Sequence, residues 1–429
     1  MKRFFFTAIA LAAVAVSCTK SGLLESPKTY EAPISFEPYT GKALTTKASV
    51  VKTENIATDG FKVLGFIEAD GENSTTIIPS SADFTFEKVY IPNGKTAWQY
   101  DGDPVYWPDS KDVTFVAYGL NANVSNPVDG NYAQITYTVP GKVAEQKDLV
   151  LSPVMQNLNG VEQDGPVSVY LYHALSRVGF TLKTEGTKDA TTEAAVTIKD
   201  VSIYGNFAQS ATFDLSRIAA PAQNVKTLTY VPYDATTAET YNFKPAAATA
   251  TRYSLFDLHL LAENAATPYF VSSKVPAATN ETEGYTTSSD DNYTYKTYPI
   301  YYTTNTLGTV TTHLTNPDIA ARYMMIMPGT VGDFTESDTF DFDGDTNKAE
   351  TFTPCIKVVY QLTDGDEQTA IINLVKDGAN WEFEAGKAYE FVFTVSTISV
   401  GFSVDVNIWN PTDPNSTTTT VPITETLPL

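Results

Sequence analysis

From Ile398 onward, apolar side chains occupy every second position (Ile398, Val400, Phe402, Val404, Val406 and Ile408), with Ser399, Ser403, Asp405 and Asn407 between them. A period of two places the first set on one face of an extended chain and the second on the other, so the segment buries its apolar face as a β-strand of a sheet that is wet on one side. Just upstream, Tyr389, Phe391, Phe393 and Val395 alternate in the opposite phase. The chain must turn or bulge near Ser396-Thr397 for both apolar sets to point inward. A hairpin is predicted from Ile356 to Leu374, where β-rich flanks surround Thr363-Asp364-Gly365-Asp366 and Asp-Gly accommodates the positive φ of a tight turn. Similar short runs occur at Phe61 to Ile67, Val113 to Tyr118, Ala133 to Val139, Val167 to Tyr172, Val178 to Lys183 and Val196 to Tyr204. Repeated short strands with Gly, Pro, Asn and Asp between them predict an all-β chain of antiparallel strands packed as β-sandwiches.

With 429 residues, 42% of them apolar and 12% aromatic, the chain is long enough for more than one domain and rich enough to fill its cores. A polar, turn-rich stretch from Asn157-Leu158-Asn159-Gly160 through Asp164-Gly165-Pro166 predicts a boundary between an N-terminal sandwich over 48–163 and a C-terminal one over 164–409. Between about Ala219 and Thr315 the alternation weakens and Ala, Thr, Asn and Tyr accumulate, which reads as a loop-rich insertion in the second domain with a short helix around Ser254 to Glu263. Such an insertion serves either variable contacts or plain surface decoration.

The first residues have the layout of an export signal. A basic start at Lys2 and Arg3 leads into an apolar run from Phe4 to Val16, and small residues precede Cys18. The run is too short to span a bilayer, and the order basic, apolar, small predicts a lipoprotein signal peptide over 1–17 with Cys18 as the lipidated first residue of the mature chain. Ordinary secretory cleavage beside an incidental cysteine is the alternative. Acyl chains at Cys18, each methylene contributing roughly 0.8 kcal/mol, would be the anchor to an outer-membrane leaflet. Formal charge is −22, and removal of Lys2 and Arg3 takes it to −24 with no basic cluster to offset it. Nucleic acid and anionic membrane surfaces are therefore poor partners. The remaining cysteine, Cys355, lies in an apolar strand-like stretch and reads as a small buried hydrophobe; with Cys18 lipidated, no disulfide framework forms within the chain.

Catalytic chemistry has little footing. None of the three histidines sits in a metal-ligand spacing, and the sequence contains neither a Gly-rich phosphate loop nor a GxSxG turn, so no enzyme activity and no cofactor are predicted. Asp341-Phe342-Asp343-Gly344-Asp345-Thr346-Asn347 resembles the start of a calcium loop, but Thr346 stands where Gly is needed and Phe352 where a bidentate Glu belongs. The stretch reads as a calcium loop or as a solvated acidic turn. Trp98, Tyr100, Tyr106 and Trp107 form either a sugar-stacking platform or core and strand-pairing aromatics. His173, between apolar strands and with no acidic partner in its own segment, reads as a hydrogen-bonded structural residue.

The two ends are more informative. Ile34-Ser35-Phe36 is a short alternating strand, followed by Thr45-Thr46-Lys47-Ala48, where a protease of trypsin-like preference would cut after Lys47 and release 18–47 as a propeptide. The terminal segment 410–429 carries Thr417 to Thr420 and then Val421, Ile423, Leu427 and Leu429 on one face, interrupted by Glu425. An extended, β-branched tail with periodic anchors suits strand addition to another subunit's sheet, and Pro422 and Pro428 limit uncontrolled edge pairing. A strand folding back on its own domain, or a frayed end, remains the alternative.

Several short motifs, in order, resemble the fimbrillin family of bacterial surface lipoproteins (Mfa-like, type V pilins). They are the cysteine signal at Cys18, Ile34-Ser35-Phe36 with Thr46-Lys47-Ala48, and Tyr106-Trp107-Pro108 before Val113-Thr114-Phe115-Val116-Ala117-Tyr118. They continue through Asp148-Leu149-Val150-Leu151, His173-Ala174-Leu175-Ser176-Arg177, Ala211-Thr212-Phe213-Asp214, Gly386-Lys387-Ala388-Tyr389 and the strand ending at Trp409. The resemblance covers most of the chain, the 219–315 insertion excepted.

The resemblance implies two transthyretin-like β-sandwich domains, export as a lipoprotein, and removal of the lipidated N-terminal strand by a maturation protease. The groove so opened is filled by the C-terminal strand of a neighbouring pilin. On this chain it makes Cys18 the lipid site, Lys47-Ala48 the cut, the strand at Ile34 and Phe36 the displaced one, and the tail from about Asn415 with Val421, Ile423, Leu427 and Leu429 the donor. It implies a fimbrial, adhesive role at the cell surface. The chain departs from the pattern of an Arg-specific maturation protease, having no Arg between Cys18 and Ala48. An uncut subunit would keep its lipid and serve as a membrane-retained anchor or a static glycan- or host-ligand-binding lipoprotein. A tip role is disfavoured, because the resemblance links tips to a missing donor tail.

Overall fold

A computed structural model of the chain describes residues 33–39, 53–68, 80–109, 111–160, 163, 165–187, 196–222, 227–236, 240–254, 270–271, 286–289, 293–299, 323–345, 348–362, 366–395, 399–408, 419–421 and 426–428. Outside them lie the signal segment, Cys18, Lys47, Ala48, Ile423, Leu429, the turn at 396–398, residues 255–263 of the predicted helix, and much of the 219–315 insertion.

The all-β expectation holds. Strands dominate the described residues, whose one α-helix is the short Thr53–Asp59. None of their helices is long and apolar enough to cross a membrane. The runs read from the sequence emerge as Phe61–Ile67, Val113–Gly119, Gln134–Thr138, Val167–Tyr170, Ser176–Thr187 and Val196–Phe207. The hairpin read around Asp364-Gly365 is present as the antiparallel pair Cys355–Leu362 and Glu367–Asn373, in register from Gln361↔Glu367 to Cys355↔Asn373.

One antiparallel sheet runs in the order Tyr172–His173, Val150–Leu151, Val113–Gly119, Phe61–Ile67, Phe84–Tyr90, Gln99–Tyr100. Its centre is covered on both faces, which is why Val113–Gly119 is buried at every position and carries no polar-apolar alternation. Phe61, Val63, Val113, Phe115 and Ala117 face a smaller apolar cluster. Leu64, Phe66, Val116 and Tyr118, on the other face, join a larger one.

A second sheet is built on Ser176–Thr187, Lys387–Val395 and Ser399–Ile408. The first two strands are parallel, Val178 opposite Tyr389 and Phe180 opposite Phe391. The last two are antiparallel, with Phe391 opposite Val404. Across the core, Val196–Phe207 pairs with Thr249–Ser254 on one edge and Cys355–Leu362 on the other. Phe180, Ile203, Ile356, Phe391 and Val404 meet in the larger cluster.

Pairing and packing cross the position of the predicted boundary. Gln134–Thr138 is hydrogen-bonded to Ser210–Asp214, with Ile135 opposite Phe213. The larger cluster contains Leu64 and Val116 together with Phe180 and Phe391.

Candidate functional site: the seat of the N-terminal strand

The short N-terminal strand is held from two sides. Phe36–Tyr39 lies parallel to Val167–Tyr170, in register from Phe36↔Val167 to Tyr39↔Tyr170. The Val167 amide donates to the Ser35 carbonyl at 2.7 Å, and on the opposite edge the Ile34 amide donates to the Val105 carbonyl at 2.8 Å. Pro33 forms an antiparallel bridge with Tyr106. The segment thus fills a slot between two stretches of chain that are far apart in sequence.

Its alternation matches its burial. Ile34 and Phe36 are 1% and 3% exposed, Pro38 is a third buried position, and Pro33 and Glu37 face solvent. The Phe36 ring packs edge-on against Phe86 at 4.8 Å and Phe115 at 5.5 Å between centroids. Ile56, Trp107, Val167, Val169 and Leu171 complete the surroundings. Were this strand absent, the slot would expose apolar walls, a free Val105 carbonyl and a free Val167 amide, a surface complementary to any strand with period-two apolar anchors.

The other end of the chain also pairs. Thr419–Val421 lies antiparallel to Ser399–Ile408 with Val421 opposite Val404, and Thr426–Pro428 continues along the same strand with Leu427 opposite Val400. The described parts of the tail therefore rest at the margin of their own sheet, folded back along Ser399–Ile408. Val421 and Leu427 sit within these strands, while Ile423 and Leu429 lie outside the described residues.

The remaining candidates resolve as follows. Trp107 is 8% exposed and packs on Phe115 at 5.8 Å. Trp98 packs edge-on against Phe61 at 5.9 Å, and Tyr100 against Phe86 at 4.8 Å. These three serve the smaller core, and only Tyr106 of the four is half exposed, at 50%. Cys355 is buried in a cluster with Tyr204, Phe334 and Phe342, and burial pushes its thiol up to about 12, with Lys357 pulling weakly the other way. A thiol so protected is a poor nucleophile.

His173 has a partner that the sequence did not reveal. Its Nδ1 lies 2.7 Å from Asp148 Oδ2, both residues buried. The two short motifs that carry them are joined by backbone as well: His173 lies opposite Val150, and the Ala174 amide donates to the Leu149 carbonyl at 2.8 Å. Likewise Gly386, with φ +66°, turns the chain into Lys387–Val395 and donates its amide to the Leu175 carbonyl at 2.9 Å. Three of the motifs scattered through the sequence therefore converge in space.

Comparison with known proteins agrees with those motifs. Residues 46–258 match the family model described as fimbrillin-like, and over that stretch the chain is a member of the fimbrillin-like family. Among solved structures, a fimbrial protein from Bacteroides vulgatus aligns with 15% identity and TM-score 0.44, over 88% of this chain and 99% of that one. A fimbrial assembly protein from Parabacteroides distasonis aligns with 12% identity and TM-score 0.35, over 90% and 98% respectively. No curated protein sequence matches the chain.

Proposed function

We propose that this chain is a structural subunit of a cell-surface pilus, exported as a lipoprotein through Cys18, cut after Lys47, and polymerised by strand exchange. In this reading the tail of one subunit, with anchors Val421, Ile423, Leu427 and Leu429, enters the seat that Ile34 and Phe36 vacate in the next. Its partners are other pilins, the outer-membrane lipid before processing and a maturation protease, and its role is structural and adhesive.

The observation that carries the reading is the seating of the N-terminal strand. Phe36–Tyr39 has a strand neighbour in Val167–Tyr170 and two buried apolar anchors just before and at its start. It is joined to the following strand by a stretch containing Lys47. Burying Ile34 and Phe36 contributes about 3–6 kcal/mol gross, at roughly 1.5–3 each. Four tail anchors would contribute about 6–12 gross, offset in large part by ordering the tail. Replacement of one strand by the other is downhill where the tail's net gain exceeds both the docking of the first strand and the pairing the tail gives up along Ser399–Ile408. The fimbrillin-like match supports the same reading.

N-terminal sequencing and intact mass of untagged protein from its native cell surface test it. A chain beginning at Ala48, together with polymers that disappear on deletion of 415–429 while the monomer stays folded, is the expected result. A lipidated chain beginning at Cys18 identifies a membrane-retained anchor or static binding lipoprotein instead, and normal polymers from the truncated protein refute strand donation by the tail.

A further inference from the structure

The acidic stretch from Asp341 to Asp345 is completed by a residue that the sequence pattern does not point to. Glu336 follows the strand Phe334–Thr335, which pairs with Thr351–Phe352, and it is 3% exposed. One of its oxygens is engaged: Oε1 accepts from the amide of Phe342, and from that of Asp343 at 3.1 Å. The other, Oε2, is buried without a hydrogen-bond partner. A buried carboxylate oxygen in that condition is costly unless something positive meets it.

What the carboxylate faces is mostly more negative charge, with the ammonium of Lys348 near enough to interact with both Glu336 and Asp343. Glu336, Asp343 and Asp345 each present a carboxylate oxygen such that the three oxygens lie within 4.8 Å of one another. Asp341, the remaining acid of the loop, is turned to other work: its Oδ1 accepts from the Gly344 amide at 2.8 Å and pairs with Lys348 Nζ at 3.0 Å. Lys357 donates to the Phe342 carbonyl at 2.6 Å.

We propose that Glu336, Asp343 and Asp345 bind a divalent cation of calcium's size. Calcium takes oxygen ligands at roughly 2.3–2.6 Å, so any two oxygens on its shell are at most about 5 Å apart, and a trio within 4.8 Å fits around one ion. Magnesium demands near-ideal octahedral geometry at roughly 2.0–2.1 Å and gives up its waters reluctantly, so carboxylates on an open, exposed loop suit calcium better. Asp343 and Asp345 are exposed, which leaves an entry path and room for waters. The floor of the site is rigid: Phe342 packs into the aromatic cluster with Tyr204, Phe334 and Phe352. Occupancy would tie the exposed loop to that cluster. With three carboxylates and an open face, affinity should fall near that of extracellular modules, roughly 10⁻⁴–10⁻³ M.

The test is isothermal titration of the full chain, stripped with chelator, with CaCl₂ alone and with MgCl₂ alone. The expected result is saturable calcium binding, weaker by roughly tenfold or more in the double variant Asp343→Asn, Asp345→Asn, with the ion-free melting temperature of that exposed pair unchanged. Glu336→Gln is the second variant. Its amide oxygen can still accept from the Phe342 and Asp343 amides, so folding should persist while calcium binding is lost. No saturable binding up to about 10 mM, binding that the double variant leaves intact, or magnesium binding as tight as calcium overturns the proposal.

Discussion

Truncating Phe36 to Ala probes the N-terminal seat directly. The ring is 3% exposed and wedged edge-on between Phe86 and Phe115. Removing a buried Phe ring from a packed site costs about 3–5 kcal/mol when the cavity does not collapse. Here the loss has a ceiling: the strand is short and can leave its slot, so global stability cannot fall by more than the free energy with which the strand docks. The excess should appear as local opening. The Val167 amide, which donates to Ser35 at 2.7 Å, reports that opening, while the Ser152 amide, which donates to Ala117 at 2.9 Å inside the sheet, does not depend on it. At tenfold per 1.4 kcal/mol, a loss of about 3 kcal/mol raises Val167 hydrogen exchange on the order of 100-fold. Ser152 should be accelerated far less. The control is Glu37→Ala, solvent-facing on the same strand and expected within about 0.5 kcal/mol of the parent. Equal acceleration at Val167 and Ser152, or an equal effect of Glu37→Ala, would refute the slot as described.

Alkaline stability should follow buried hydroxyls and the thiol. Burial holds the Tyr253 phenol, and mainly burial those of Tyr137 and Tyr389, above the usual tyrosine range, and pushes Cys355 up to about 12. Folded pKa values above the unfolded ones mean that stability is intact below the unfolded values and is lost as pH rises past them, so urea-unfolding free energy should stay level to about pH 9 and then decline; a level profile to pH 11 contradicts this. Asp148→Ala removes the acceptor 2.7 Å from buried His173 and should cost at least about 1–3 kcal/mol in urea unfolding. Gly179→Ala would place a Cβ 2.5 Å from Glu390 Oε2 and 2.6 Å from the Tyr323 ring, an overpacking expected to cost about 1–3 kcal/mol. Gly141→Ala, with open space around it, is the matched control, and equal melting temperatures for the two variants would count against the packing at Gly179.

What was legible in the sequence was what local periodicity encodes. The Ser399–Ile408 strand and the Cys355–Leu362 hairpin are local in sequence and could be read from alternation and from Asp-Gly. Partners brought together by topology could not. Nothing in the segment around His173 points to Asp148, and nothing in Ile34-Ser35-Phe36 names Val167 as its neighbour, because a parallel pair has no connecting turn to set its register. The helix Thr53–Asp59 is too short to show a period. Glu336 was missed for a related reason: the calcium-loop pattern looks forward from Asp341, whereas the third carboxylate comes from a strand end before it. For the aromatics around Trp98 and Trp107, residue type alone cannot separate a sugar-stacking platform from core. Their ring contacts with Phe61 and Phe115 do so.

The distribution of apolar contacts bears on how a strand can be lost without losing the protein. Ile34 and Phe36 belong to the smaller cluster, on one face of the Phe61–Ile67 sheet. The larger cluster lies on the other face of that sheet and draws on strands from Leu64 to Val404. The Gln134–Thr138 and Ser210–Asp214 pair adds a backbone tie between the early and late parts of the chain. Removing the N-terminal strand therefore opens one wall of the smaller core and leaves the larger one closed. Among the described residues the tail pairs with the Ser399–Ile408 strand alone, and its release leaves that strand's pairing with Lys387–Val395 intact. Of the segments that strand exchange would move, the N-terminal strand fills a slot in the smaller core and the tail lies at a sheet margin, so neither is a strand of the larger core. A chain organised in this way can open a groove and offer a strand while its central packing stays in place.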